Sequence, residues 1–174
     1  MARQFYDLQV DLNDGIALKV DEINSIARQI RDLNVQIIKA EADGSKANDL
    51  RDRRDLLVEQ LSKIVEVTVS EDDLGAISVG LGGRNIVSRE VLTEIVFAEN
   101  QLDPTKSKIR WVDPLTGNPI ADVNVRGGQL QGYFDMRDNI IPRLQQDVSE
   151  LARRIATEVN ILHRQGYDSY GNAG

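Results

Sequence analysis

The hydrophobic period of this chain changes without a break inside residues 48–69, NDLRDRRDLLVEQLSKIVEVTV, and that change limits what the rest can fold into. Ala47, Leu50, Arg54, Leu57, Leu61 and Ile64 recur at alternating steps of three and four, which is one face of a helix aimed at a packed seam. From Val65 onward, Val65, Val67 and Val69 alternate with Glu66, Thr68 and Ser70, the period of a half-buried strand. The chain therefore leaves a helix and enters a β module between Ile64 and Val65. Everything before this point reads as helix, the stretch to about Val125 as short strands and turns, and the last third as helix again. The expected class is α+β: an elongated antiparallel bundle of long helices with a small inserted β module. Residues 1–64 and 128–165 make the discontinuous bundle, 65–127 the module and 166–174 a turn-rich tail.

Residues 4–41 carry the longest pattern, with Leu8, Leu12, Ile16, Val20, Ile23, Ala27, Ile30, Leu33 or Asn34, and Ile37 on one face. A periodic run longer than about 25 residues points to a coiled coil or elongated bundle. A continuous helix is the expectation, and Asn13-Asp14-Gly15 is the alternative break, since Gly costs about 1 kcal/mol relative to Ala inside a helix. Asp43-Gly44-Ser45 supplies a C-terminal Gly and a new N-cap, so the second helix turns back on the first. On its outer face Asp49 with Arg53 and Arg51 with Asp55 have i,i+4 spacing and read as solvated pairs. Arg54 instead falls on the seam, opposite Asn34 in the hairpin register, and the two are expected to form a polar layer that fixes register.

Strand candidates follow at 65–70, 76–81, 84–88, 94–99, 108–113 and, weakly, 120–125, separated by Gly, Pro, Asp and Asn turn signals. Gly80-Leu81-Gly82-Gly83 runs into Ile86-Val87-Ser88, another strand, so it reads as a hairpin turn and not as a phosphate loop, which would lead into a helix. Trp111 reads as a core residue. After Gly127-Gly128 a third helical stretch carries Leu130, Phe134, Arg137, Ile141, Leu144, Val148, Leu151, Ile155, Val159 and Leu162 on one face. Pro142 predicts a kink or restart near residues 139–141. The tail lacks the repeated carboxylates and terminal Glu of a calcium loop and reads as an ordinary loop.

Composition closes several doors. A net charge of -7 over 174 residues offers no basic footprint for nucleic acid or an anionic membrane. No apolar run approaches the length that spans a bilayer, and no cleavable signal peptide is legible at Met1. With no Cys and one His, His163, there is no multi-ligand metal site of His and Cys and no second imidazole base. No G-x-S-x-G elbow accompanies that histidine, which reads as solvated at a helix end. No catalytic residue, cofactor, metal or small-molecule substrate is expected. Long amphipathic helices around a β insertion describe a scaffold or assembly subunit.

Several ordered motifs then carry a resemblance: residues 20–30 (VDEINSIARQI) with Leu33-Asn34-Val35-Gln36-Ile37, residues 48–55 (NDLRDRRD), Gly127-Gly128-Gln129-Leu130 with Met136-Arg137-Asp138, residues 151–160, and His163 with Gly166-Tyr167-Asp168 and Gly171. Together they cover most of the chain from Val20 onward. The chain resembles the family of the first flagellar hook-associated protein, which joins hook to filament. The resemblance implies a structural, non-enzymatic component of the bacterial flagellum, exported through the flagellar type III apparatus without a cleaved signal and lying outside the cell. Its partners would be other axial proteins, namely the hook protein and the second junction protein, and copies of itself. Members of the family carry terminal helical segments that form the inner tube and drive polymerisation. This chain begins inside the helical region and ends before the C-terminal half, so an internal stretch is the expectation.

Helix lengths add one more. A second helix of about 19 residues spans roughly 28 Å against about 57 Å for the first, so Phe5, Leu8, Leu12 and Ile16 reach past it. With the third helix descending toward the Gly44 turn and overshooting it, Leu151, Ile155 and Leu162 are left without cover. Both overhangs are expected to be assembly surfaces, since apolar stripes of this length are seldom left in water. From the residues alone two other readings stay open: a generic coiled-coil adaptor or adhesin module, and an enzyme using the β module as a cap over a pocket with convergent carboxylates.

Overall fold

The computed structural model describes residues 2–165 apart from 43, 45, 104 and 106. The tail, read as an ordinary loop, and the Ser45 cap lie outside the described residues.

Helix α1, Ala2–Ala40, is continuous for 39 residues, and it passes through Gly15 because that glycine is a contact. A Cβ there would sit 2.7 Å from Cε1 of Tyr133 on a later helix, so the absent side chain lets the Tyr133 ring pack directly on α1. Gly15→Ala is therefore expected to lose more from displacing the Tyr133 ring, about 1–3 kcal/mol, than the roughly 1 kcal/mol it gains in helix propensity. A urea midpoint below that of the parent chain checks this.

The buried stripe of α1 is Ile16, Val20, Ile23, Ala27, Ile30 and Ile37. Helix α2, Asn48–Ile64, lies antiparallel on its C-terminal half, and Leu61 and Ile64 enter the same core with Leu57 half-buried. No side chain of Ala47 caps α2. Glu41 does this work from the end of α1: one carboxylate oxygen accepts Ala47 N–H at 2.8 Å and Arg51 Nε at 2.7 Å, the other accepts Arg51 Nη2 at 2.7 Å. Arg51 reaches on to Glu71 at 2.7 Å, so it is an interelement clamp and not a solvated partner of Asp55.

Among the described residues, seven strands make two antiparallel sheets. In the first, β1 (Val67–Glu71), β2 (Ile77–Leu81), β3 (Arg84–Ser88) and β4 (Val91–Leu92) lie in that order, and in the second β5 (Ile95–Ala98), β6 (Lys108–Val112) and β7 (Pro119–Asp122) do. The period-two pattern is clearest where helices cover one face: Ile77, Val79 and Leu81 on β2, Ile109 and Trp111 on β6. On β1 only Val67 is half-buried and Val69 is exposed, because β1 is a sheet edge beyond the cover of α1. The β2–β3 turn has Gly82 at φ 57° and Gly83 at φ 90°, the paired positive values a tight hairpin needs. The short β4 follows Arg89 at φ 55°, a left-handed residue with no Gly or Asn to announce it.

The β module lies along the side of α1, from Asn13 to Asn34. Two expectations need correction. The third helix does not descend to the Gly44 turn. Gly128 abuts the carbonyl of Ile64, so α3, Gly128–Asp135, carries on in the direction of α2 along the N-terminal half of α1, away from that turn. The result is one long rod faced by two shorter helices in succession, not three long helices side by side. Finally, Ile16 is no overhang. It is 0% exposed, because α3 and the sheets enclose it.

Pro142 acts as its chemistry requires. It has no N–H and its ring crowds the carbonyl four residues back, and the helix widens into a π turn over Met136–Ile140, with Ile141 N–H donating to Met136 O, before α4, Ile141–Gln165. One continuous apolar cluster joins α1, α2, α3 and both sheets, from Ile16 through Trp111 to Leu130.

Candidate assembly surfaces and the polar layers that position them

Three asparagines on α1 hold the β module, each at a different height. Asn34 is fully buried: Oδ1 accepts Ile77 N–H at 3.0 Å, while Nδ2 donates to Ile77 O at 2.8 Å and to Arg89 O at 2.9 Å. Its amide thus pairs the first residue of β2 as a neighbouring strand would, and also holds the left-handed Arg89. Asn24 does the same for β5, accepting Ile95 N–H at 3.0 Å and donating to Ile95 O at 2.7 Å. At Asn13 the bond is indirect. Arg137 Nη1 donates to Asn13 Oδ1 at 2.7 Å and to Ser107 O at 3.0 Å, and Gln9 Nε2 donates to Arg137 O at 3.2 Å.

Arg54 completes the Asn34 layer. It is 2% exposed and donates from Nη1 to Gly75 O at 2.6 Å and to Asn34 Oδ1 at 3.4 Å, and from Nη2 to Glu71 at 3.3 Å. The bond to Gly75 O is the short one, so Arg54 binds the β1–β2 turn more tightly than it binds Asn34. Burial lowers its pKa, opposed by the charge of Glu71. The sequence singled out this pair because both residues fall on the α1–α2 seam. It missed Asn24, Asn13 and Arg137, although Asn24 and Arg137 lie within otherwise apolar stripes and that interruption is a legible signal.

The Arg51 hydrogen bonds, then the Ala47 N–H, hold Glu41 down to about 2 from its ordinary 4.5. A depressed carboxylate contributes stability that is fully present above its unfolded value and is lost as pH falls through the folded one. Hydrogen bonds from Arg89 and Lys108 lower Asp72 and Asp122 in the same direction. The fold is therefore expected to weaken between about pH 4.5 and 2, and Glu41→Gln to flatten that loss; thermal melts across that range measure both.

The sequence-expected overhangs separate into two cases. Of the α1 set, Phe5 and Leu12 are half-buried and Leu8 is exposed. On α4, Leu151, Ile155 and Leu162 are 58%, 56% and 66% exposed, and every described residue beyond Val148 is exposed. The uncovered stripe exists, but at the N-terminal end of α1 and not past the Gly44 turn.

A cleft between β6, β7 and α3 gathers Asp122, Asp135 and Asp138 with Lys108 and Arg137. Each carboxylate has a partner: Asp122 accepts Lys108 at 2.6 Å, Asp138 accepts Arg137 at 2.6 Å, and Asp135 accepts Gln131 and Asn139 at 3.0 and 3.2 Å. A general acid near neutrality needs a raised pKa, and Asp122 is shifted the other way. Among the described residues no three His, Cys, Asp or Glu are grouped to hold a metal, and no helix is long and apolar enough to cross a membrane. His163 is exposed on α4.

With that geometry in view, comparison with known proteins is specific. The sequence model of the family described as "Flagellar hook-associated protein FlgK helical domain" matches residues 1–174. The chain belongs to this family. Among curated relatives it is 33% identical over 172 residues to "Flagellar hook-associated protein 1" of Salmonella typhimurium, covering 97% of this chain and 31% of that protein. The protein of the same name in Bacillus subtilis is 27% identical over 198 residues, with 97% and 38% covered. Among solved structures, the flagellar hook junction protein FlgK from Burkholderia pseudomallei superposes with a TM-score of 0.78 at 28% identity, over 99% of this chain and 32% of that one. The chain thus spans about a third of the length of these FlgK relatives.

Proposed function

We propose that this chain is part of a structural, non-catalytic component of the bacterial flagellum that joins hook to filament. The observation that carries the reading is the family match along the entire chain, and the uncovered apolar stripe of α4 supports it. Residues 1–64 with 128–165 act as the helical frame and 65–127 as the β module, and the polar layers, Asn34 with Arg54 foremost, fix the one against the other. Leu151, Ile155 and Leu162, with Phe5, Leu8 and Leu12 at the adjacent end of α1, pack against further segments of the intact protein or adjacent subunits. The partners are the hook protein, the second junction protein and copies of the chain itself, with no nucleic acid, membrane, cofactor or small-molecule substrate. The protein works outside the cell after export without a cleaved signal.

Deleting the encoding gene is expected to leave cells with hooks and no filaments, seen by electron microscopy of negatively stained cells. Normal filaments on such cells would overturn the reading. For the overhang, the isolated chain is expected to self-associate in sedimentation velocity and a Leu151→Ser, Ile155→Ser double variant to shift toward monomer. Monomeric behaviour of the parent chain would count against it.

A further inference from the structure

The α1–α2 hairpin carries a groove lined only by residues of those two helices, with no sheet residue in it. Leu33, Leu56 and Leu57 form its apolar floor, and Gln29, Gln36, Gln60, Asp32 and Arg53 its rim. Leu56 is 58% exposed. Arg53 has no ion-pair partner among the described residues, and its expected i,i+4 bond to Asp49 is not made.

Elsewhere the chain builds a projection of matching chemistry. The β6–β7 turn is stiff: Asp113 N–H donates to Asn118 O at 2.9 Å, Gly117 N–H to Asp113 O at 2.8 Å, and Leu115 N–H to Asp113 Oδ1 at 2.8 Å. Pro114 and Pro119 fix φ at both ends of it. At its tip Leu115 is 94% exposed. A hydrogen-bonded turn that presents one leucine to water has met its ordering cost before any partner arrives, which is how rigid loops gain affinity.

We infer that Leu115 of one copy of this chain docks in the α1–α2 groove of a second copy. A groove of ≈ 440 Å³ has room for the leucine and the turn that bears it. The three glutamine amides of the rim can donate to and accept from the peptide groups of the exposed turn. The turn carries one carboxylate, Asp113, and the groove edge one cation without a partner among the described residues, Arg53, so charge favours this pairing over leucine against leucine. Knob and groove are different surfaces of one chain. The contact is therefore head-to-tail, and repeated it makes a ring or a helical array and not a closed dimer. It rests on the assembly reading above and supplies a specific contact for it.

The chain has no native cysteine, so disulfide trapping is clean. Leu115→Cys and Leu56→Cys chains, both altered at exposed sites, are mixed in a glutathione redox buffer and compared with Leu115→Cys mixed with Glu90→Cys, an exposed site off the groove. The expected result is a mixed Leu115–Leu56 dimer well above that control, its loss when Arg53→Glu is added, and a ladder of higher species when both cysteines are on one chain. A mixed dimer no more abundant than the control, or a dominant Leu115–Leu115 dimer, overturns the contact. If it fails while gene deletion still removes filaments, the contact falls and the hook–filament reading stands. Filaments that survive the deletion overturn that reading whatever the cross-link shows.

Discussion

Replacing Asn34 with Ala is expected to destabilise the fold by about 3–4 kcal/mol, because each buried polar group left unpaired costs roughly 1–3 kcal/mol. The side chain serves Ile77 N–H, Ile77 O, Arg89 O and Arg54 at once. Asn34→Asp separates charge from geometry. It keeps an acceptor for Ile77 N–H and offers Arg54 a full negative charge, yet it sets a carboxylate oxygen against the carbonyls of Ile77 and Arg89. If hydrogen-bond geometry dominates, Asn34→Asp is nearly as damaging as Asn34→Ala; if charge pairing with Arg54 dominates, Asn34→Asp is close to the parent. Arg54→Ala is expected to cost less, about 1–3 kcal/mol, because water can reach Glu71, one of its partners, which is half-exposed. Urea unfolding followed by the emission of Trp111, the only Trp, gives the three midpoints. A shift below about 1 kcal/mol for Asn34→Ala, within the range of ordinary surface substitutions and small caps, would mean that the amide is not what holds the module.

These residues also mark where sequence reasoning reaches and where it stops. The switch from helix to strand at Ile64 was legible, because two periods met without a loop between them, and strand candidates such as 84–88 and 108–113 followed from short apolar runs bounded by turn residues. Arg54 stood out because it occupied a seam position. What a one-dimensional pattern does not hold is which partner a polar group chooses. Arg51 has Asp55 at the right helical spacing and bonds Glu41 and Glu71 instead, since two carboxylates from separate elements reach the buried side of the guanidinium. Nor does periodicity say on which side of a long helix a later one lands. Apolar spacing in residues 130–162 is equally compatible with packing on either half of α1. The choice is made at Gly127 and Gly128, where the returning chain meets the end of α2.

That joint carries the second large effect. Gly128 has φ 66°, and a Cβ there would lie 2.4 Å from Ile64 O, 2.5 Å from Ile64 C and 2.6 Å from Val65 N. All three atoms are backbone at the end of α2, so no side-chain rotation can make room. Gly128→Ala combines a left-handed penalty of about 1–2 kcal/mol with an overlap that must move a helix end, and a total of at least about 3 kcal/mol, or loss of the folded state, is expected. Two other glycines calibrate the result. Gly117 has φ 71° with nothing within 4 Å of the added carbon, so Gly117→Ala bears the conformational term alone, about 1–2 kcal/mol. Gly132, inside α3 with open space around it, is expected to gain about 1 kcal/mol as Ala. If backbone approach at Ile64 sets the direction of α3, then Gly128→Ala must also disturb what lies beyond it: Tyr133 against Gly15, Arg137 against Asn13, and the bearing of the α4 stripe. Hydrogen exchange across α3 and the first turns of α4 is the measurement. Faster exchange there in Gly128→Ala, with the C-terminal half of α1 and α2 still protected, is the expected pattern, whereas equal destabilisation of Gly117→Ala and Gly128→Ala would show that the joint is set by glycine conformation and not by the closeness of the two chains.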